Sequence, residues 1–316
     1  MTTRPDVVTL GESMVAFRWP GPFGLGTPLV ARLAGAESNV AIGLARLGHG
    51  VAWAGVLGED AFGDLVLREL RAEGVEVRSA RRDPVAPTGM MFVETRTADV
   101  VRVEYRRAGS AGSMLGPEDA EAALDPVPRV LHLTGITPAL SESAATAVTR
   151  AAELASAAGA LVSLDVNHRS RLWTSERARA VLRGLLPLVD VLIASEEELP
   201  LVADGDEDAA VSSLQAAGVG RVAVKRGSAG STLWAAGGRW DVAALPVTAV
   251  DVVGAGDAFC AGLLSGLLDG LDEPAALGRA NALGALAVST HGDWEGLPHR
   301  DDLDRLAGAA AGSAHR

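Results

Sequence analysis

Asp251-Val-Val-Gly-Ala-Gly-Asp257, followed at once by the apolar run Ala258–Leu268, is the stretch on which the reading of this chain turns. Two glycines ahead of an apolar run predict a tight turn into a helix. Gly254 and Gly256 remove Cβ atoms where the backbone must bend sharply or approach a ligand. The free N–H groups of a helix's first turn, reinforced by its dipole, form an anion site. In phosphoryl transfer such donors stabilise charge on the moving group, and Asp257 beside them can accept the proton of an attacking hydroxyl. The helix end is expected to help keep Asp257 ionised, as a weak base that matters late in the transfer. The plainer alternative is a bare strand-to-helix turn with Asp257 near its N-cap. The segment also approaches the dinucleotide fingerprint, but Phe259 stands where the third Gly or Ala belongs, and the segment lies far from the first strand. No Gly-x-x-x-x-Gly-Lys-Ser/Thr occurs, which excludes a P-loop.

Upstream, the chain alternates. Strands are expected at Val7–Leu10, Val51–Val56, Val130–Leu133, Leu161–Val166, Val189–Ile193 and Arg221–Val224. Helical spacing falls at Ser38–Leu47, Ala61–Ala72 and around 142–158, 175–187 and 207–217, then at about 257–269, 274–290 and 301–310. Strands alternating with helices predict parallel βαβ units covered on both faces. Two segments break the pattern. Residues 13–33 carry Gly and Pro without helical period, and Gly89–Thr95 and Val100–Arg106 read as a hairpin around Arg96-Thr-Ala-Asp99; another hairpin is expected at 231–242. The expectation is one α/β domain over residues 1–316, with β-rich insertions at about 12–33 and 86–112 and an Ala/Gly-rich tail from Gly308.

The chain has 316 residues, 48% of them hydrophobic, which is ample for a sizeable core. Its net charge of -12 disfavours nucleic acid and anionic membrane as partners, because the summed field repels phosphates. A single cysteine, Cys260, excludes an internal disulfide and a Cys-rich zinc site, and it is expected to serve packing. The six histidines show no metal-ligand spacing. No signal-peptide core and no apolar run of ~20 residues occur, so a cytoplasmic protein is expected.

Asp251-Val-Val-Gly-Ala-Gly-Asp-Ala-Phe-Cys-Ala-Gly262 resembles the C-terminal signature of the PfkB (ribokinase-like) carbohydrate kinases, and Leu33-Ala-Gly-Ala-Glu-Ser-Asn-Val-Ala-Ile-Gly-Leu-Ala-Arg-Leu-Gly48 resembles their N-terminal signature. The resemblance implies a ribokinase-like three-layer α/β/α sandwich with a mostly parallel central sheet and a small β-lid. It implies ATP-dependent phosphorylation of a sugar hydroxyl, with Asp257 as base and the amides of Gly254, Ala255 and Gly256 as the anion hole. Val252 departs from the family's Thr or Ser, and Ala34 from its Gly. Gly35 permits close backbone approach to a sugar, and Asn39 either binds sugar hydroxyls or caps a helix.

Within the family, Tyr105-Arg-Arg-Ala-Gly-Ser-Ala111 and Asp165-Val-Asn-His-Arg169 are similar to segments of 2-keto-3-deoxygluconate kinases. By that resemblance Tyr105, Arg107 and Arg169 contact the substrate, while Arg106 and Met91 replace tyrosines of that group. The chemistry suits an acid sugar, because arginine's planar fork recognises a carboxylate bidentately; surface or structural ion pairing is the alternative for both arginines. The resemblance places Lys225, Gly227 and Gly230 of Val222-Ala-Val-Lys-Arg-Gly-Ser-Ala-Gly230 near the nucleotide phosphates and Ala285–Gly292 beside adenine. Ser195 and Glu198 correspond to the family's Asn-x-x-Glu, with Glu198 reaching Mg2+ through water. A monovalent cation such as K+ is implied near Asp251, and a homo-oligomer, a dimer or higher, through exposed lid edges. The rival readings are a kinase for fructose or 5-dehydro-2-deoxygluconate, and a catalytically silent sugar-binding protein on the same fold.

Overall fold

The structure is a computed structural model that describes residues 4–97 and 100–303. In chain order, β1 (Val7–Leu10), β2 (Met14–Pro20) and β3 (Val30–Ala34) lead to α1 (Ala36–Arg46), β4 (Val51–Ala54), β5 (Val56–Gly58) and α2 (Ala61–Ala72). Next come β6 (Arg81–Asp83), β7 (Met90–Thr97), β8 (Val100–Arg106), α3 (Pro117–Ala123), β9 (Val130–Thr134), α4 (Glu142–Ala157), β10 (Leu161–Asp165) and α5 (Ser175–Leu185). The chain continues through β11 (Val191–Ser195), α6 (Leu199–Val202), α7 (Glu207–Ala216), β12 (Arg221–Lys225), β13 (Ser231–Ala235), β14 (Gly238–Val242), α8 (Ala255–Leu268) and α9 (Glu273–Val288).

Eight strands form the central sheet in the order β14-β13-β12-β11-β10-β9-β1-β4. Pairing is parallel from β4 across to β12 and antiparallel at β13 and β14. Successive strand side chains point to opposite faces, and the core divides accordingly. Leu192 and Ala194 of β11 join one apolar cluster with α3 to α7, whereas Val191 and Ile193 join a second with α1, α2, α8 and α9. Apolar runs without polar alternation are what a sheet covered on both faces requires, and the result is three layers. The second cluster is tight where α8 meets its neighbours. A Cβ on Gly262 would lie 2.7 Å from the Cα of Ala280, and one on Gly266 would lie 2.7 Å from Ala276. These glycines therefore serve close helix packing.

A second sheet, ordered β3-β2-β7-β8, draws its strands from the two irregular segments of the sequence. A parallel pairing of β2 with β7 joins the two hairpins. The expected turn at 96–99 includes residues 98 and 99, which lie outside the described residues, as do residues 304–316 of the expected last helix and tail; 301–303 are helical.

Three expectations need correction. The strand expected at Val51–Val56 breaks at Gly55, where a Cβ would lie 2.3 Å from the Gly11 carbonyl, and β5 pairs with β6 in a small separate sheet. The strand expected at Val189–Ile193 begins two residues later, because the Val189 amide turns back to the Leu186 carbonyl at the close of a short helical turn. Helix α3, which opens on Pro117 at its first turn, was not expected at all. Among the described residues no helix is long and apolar enough to cross a membrane.

Candidate active site

Helix α8 starts in the manner its glycines require. Gly254 is the N-cap in the left-handed region at φ +79, with no side-chain cap hydrogen bond to the first turn. A methyl group there would lie 1.9 Å from the Asp293 carbonyl oxygen, so both the turn and its neighbour demand glycine. The first-turn amides of this helix are thus presented from a fixed backbone, as an anion site needs.

Asp257 sits one turn in and is 7% exposed. The Asn39 amide donates to Asp257 Oδ2 at 2.8 Å, and Asn167, held at φ +36, donates to Oδ1 at 3.4 Å. Asn39 therefore does not cap α1, whose N-cap is Gly35; it faces the carboxylate, and its own Oδ1 is buried without a partner. Burial pushes the Asp257 carboxyl above its ordinary value, the Asn39 hydrogen bond opposes the rise, Asp165 adds to it, and Arg169 and Lys225 pull it down. The expectation that the helix end would help keep Asp257 ionised, as a weak base, is thus corrected in direction: desolvation is the largest influence, and the net shift is upward.

A cavity of about 460 Å3 opens over Asp257. Gly35, Asn39, Tyr105, Arg107, Arg169, Ser195, Glu198, Lys225, Gly254, Gly256 and Asp257 all line it, so most of the residues singled out from sequence meet there. Met91, Val93 and Val103 of the second sheet supply apolar wall. Arg107, 8% exposed, is ion-paired with the fully buried Glu12, which also accepts from the Ser110 hydroxyl at 2.6 Å. Its guanidinium lies 5.5 Å from the Tyr105 ring centroid, and its Nε is buried without a partner. Arg169 is exposed.

A second cavity of about 580 Å3 has a different character, walled by Leu245, Pro246, Val247, Phe259, Ala285 and Val288 together with Gly227, Ser228, Gly230 and Ala255. Lys225, Val252 and Gly256 line both cavities, so the α8 N-terminus is where they meet. Lys225 Nζ donates to Asp165 at 2.7 Å. Burial, the largest single influence, would lower its pKa, but the Asp165 charge and hydrogen bond together with Cys260 and Glu198 outweigh it and raise the value, which keeps the ammonium charged. Ser195 lines only the first cavity, so its expected place beside the nucleotide holds only if phosphates extend there. Of the stretch expected to flank adenine, Ala285 and Val288 line the second cavity, joined by Asn281 and Gly284, which the sequence did not single out.

For a metal, the donor set is thin. Both Glu198 oxygens are engaged, by the His168 amide at 2.7 Å and the Ser195 amide at 2.8 Å. Among the described residues no group of three or more His, Cys, Asp or Glu could hold an ion. This suits a cation carried largely by phosphates and water, not a protein cage.

Three groups escaped the sequence reading. Arg18 of β2 crosses to Asp251 and Asp293. Asp293 is pushed up to about 7 by burial, against the pull of Arg18. Glu37 is fully buried at the cavity and pushed up to about 7 by desolvation; its Oε1 accepts from the Thr134 and Thr137 hydroxyls, both at 2.6 Å, while Oε2 has no partner. Glu37 lay inside a motif read for glycine and asparagine and so had a signal that pointed to no contact, whereas Arg18 carried none.

Residues 8–300 match the family model described as pfkB family carbohydrate kinase. The chain is 34% identical over 314 residues to 2-dehydro-3-deoxygalactonokinase of Haloferax volcanii, covering 97% of this chain and 98% of that one. It is 36% identical over 306 residues to 2-dehydro-3-deoxygluconokinase of Bacillus subtilis, covering 94% of each. Among solved structures, a putative ribokinase II of E. coli in complex with ATP and Mg2+ superposes with a TM-score of 0.88 at 27% identity, covering 96% of this chain and 99% of that one.

Proposed function

The chain belongs to the pfkB carbohydrate kinase family and is an ATP-dependent sugar kinase, and from that premise we propose that its acceptor is the acid sugar 2-keto-3-deoxygluconate, converted to 2-keto-3-deoxy-6-phosphogluconate. The observation that carries the choice of acceptor is the convergence of Arg107 and Arg169 on the cavity that holds Asp257. Two guanidinium groups suit a ligand with a carboxylate, and a neutral hexose has no use for them. The two curated relatives carry names of kinases for such acids.

The geometry supports the following roles. Asp257 takes the proton of the sugar's primary hydroxyl as the hydroxyl oxygen attacks the γ-phosphorus of ATP, whose bond to the β,γ-bridging oxygen breaks so that ADP leaves. Its upward-shifted pKa makes it a better base than an ordinary aspartate. Asn39 and Asn167 fix its two oxygens. The amides of Gly254, Ala255 and Gly256 receive the charge that develops on the transferred group. The apolar second cavity receives the adenosine, and Lys225, Gly227 and Gly230 flank its phosphates. Mg2+ would neutralise phosphate charge, and Glu198 would meet it through water. A monovalent cation such as K+ beside Asp251 would rely on main-chain oxygens, because both carboxylate oxygens already accept hydrogen bonds.

An ADP-release assay with Mg·ATP over a panel of sugars tests the reading. Turnover of 2-keto-3-deoxygluconate about 100-fold more efficient than that of fructose is expected, in the range a lost buried polar pairing produces. Equal turnover of fructose contradicts it.

A further inference from the structure

The second sheet touches the anion-hole loop at a charged junction that the chemistry above does not use. Arg18 Nη1 donates to Asp251 Oδ2 at 2.8 Å, and its Nη2 pairs with Asp293. The three side chains are largely buried. Asp251 also gathers backbone: Oδ1 accepts the Val253 amide at 3.1 Å, and Oδ2 accepts the Gly292 amide at 3.3 Å. One carboxylate thus ties the loop before α8 to the loop after α9, and one guanidinium ties both loops to β2.

What those loops shape is the hole itself. The Asp293 carbonyl is the atom that a methyl on Gly254 would strike, so the segment held by Arg18 is the wall on which the left-handed turn rests. Charge matters as well as shape. Two carboxylates flank a turn whose purpose is to receive phosphate, and Arg18 is the cation that pairs with both. Without it, the charge of Asp251, and of Asp293 once ionised, would oppose the incoming phosphate at short range and in a partly dry setting.

We propose that Arg18 is a positioning residue for phosphoryl transfer: from the lid strand it holds the 251–254 and 292–293 backbone in the shape of the anion hole, so that seating the lid and forming the hole are a single event. The proposal rests on the assignment of Gly254–Gly256 as that hole.

Amide hydrogen exchange in the ligand-free protein tests it independently of any sugar. In Arg18→Ala, exchange across 251–256 and 291–294 is expected to rise about 10-fold or more, the scale of losing one or two partly buried charged hydrogen bonds. Arg18→Lys, which keeps the charge, should rise less, and β9, β10 and α4 should stay as in the wild type. Unchanged exchange at 251–256 overturns the proposal. So does a rise spread over the whole chain, since Arg18 would then hold the fold and not the site.

Kinetics with 2-keto-3-deoxygluconate and Mg·ATP give the second readout. Arg18→Ala is expected to lower kcat about 100-fold, comparable to losing an oxyanion donor, with the sugar KM shifted less than about 3-fold. A change confined to sugar KM overturns the proposal by making Arg18 a sugar contact. Combining Arg18→Ala with Asp251→Asn should cost no more than about 3-fold beyond the worse single variant, because both break one junction; fully additive losses overturn it. If the wild type does not turn over this sugar, the acceptor assignment falls, and the exchange result still decides the role of Arg18.

Discussion

The N-terminus of α8 and the four-stranded lid face the same cavity but are built on opposite plans. The α8 end presents backbone. Its glycine turn is pinned by the Asp293 carbonyl, and the helix behind it packs against α9 closely enough that Gly262 and Gly266 admit no side chain. The lid presents side chains. Among the described residues its own buried cluster is Met14, Ala16, Ala34, Met91 and Val93, with Val103 packed against it, and the long, charged Arg18 and Arg107 and the ring of Tyr105 line the cavity. A sheet with so small a core opens locally at lower free energy than the layered body. Atoms that must be placed to fractions of an ångström thus sit on the rigid element, and groups that select and seat a ligand sit on the element that can move. The contrast predicts different failures: changes at α8, and at Arg18 that seats the lid against it, cost kcat, whereas changes at the arginines proposed to bind the sugar, Arg107 on the lid and Arg169 after β10, cost KM.

Asp257→Asn should have the largest effect, a kcat loss of about 1,000-fold or more with sugar affinity retained; a loss under about 10-fold would break the contrast. Gly254→Ala comes next. The left-handed turn and the 1.9 Å contact must both relax, and a kcat loss of about 100-fold is expected from a displaced hole. On the recognition side, Arg169→Ala should raise the KM for 2-keto-3-deoxygluconate about 10-fold while kcat changes little, the size of one charged hydrogen bond. A fall in kcat instead would blur the division. The same variant removes a positive charge that lowers the Asp257 pKa, so the acid limb of its kcat profile should move to higher pH. Activity falls as pH drops through that limb, because the base must be ionised.

The last effect is on stability. Burial holds the Glu37 carboxyl near 7 in the fold against 4.5 for the ordinary group. Between those values the folded protein keeps a proton that the unfolded chain has released, so stability falls as pH rises across the window. Glu37→Gln should remove a drop on the order of 3 kcal/mol over that window, measured as Tm against pH. Asp293, held near 7 by the same cause, leaves a residual slope. An unaltered profile in Glu37→Gln would mean the carboxyl is solvated in solution.

Much of this was legible in the sequence, and the limits are instructive. Alternating apolar runs and helical periods gave the layered sheet, because burial on both faces writes itself into local composition. Gly254–Asp257 and Gly35–Asn39 announced themselves because the glycines at those spacings answer backbone demands. The Asn39–Asp257 hydrogen bond joins residues 218 apart, and the Arg18–Asp293 pair joins residues 275 apart. No periodicity marks such pairs; only the folded arrangement of β2 against the loop after α9 reveals them. The direction of the Asp257 shift was missed for a related reason. A helix dipole can be read from a motif, whereas desolvation depends on everything packed around the group.

The central claim, that this kinase phosphorylates an acid sugar at the site formed by Asp257 and the α8 amides, is tested most directly by one comparison. ADP release with Mg·ATP is measured for wild type and Asp257→Asn on 2-keto-3-deoxygluconate and on fructose. The account predicts efficient, Asp257-dependent turnover of the acid sugar and about 100-fold weaker use of fructose. Turnover of the acid sugar that survives Asp257→Asn, or a wild type that prefers fructose, would contradict it.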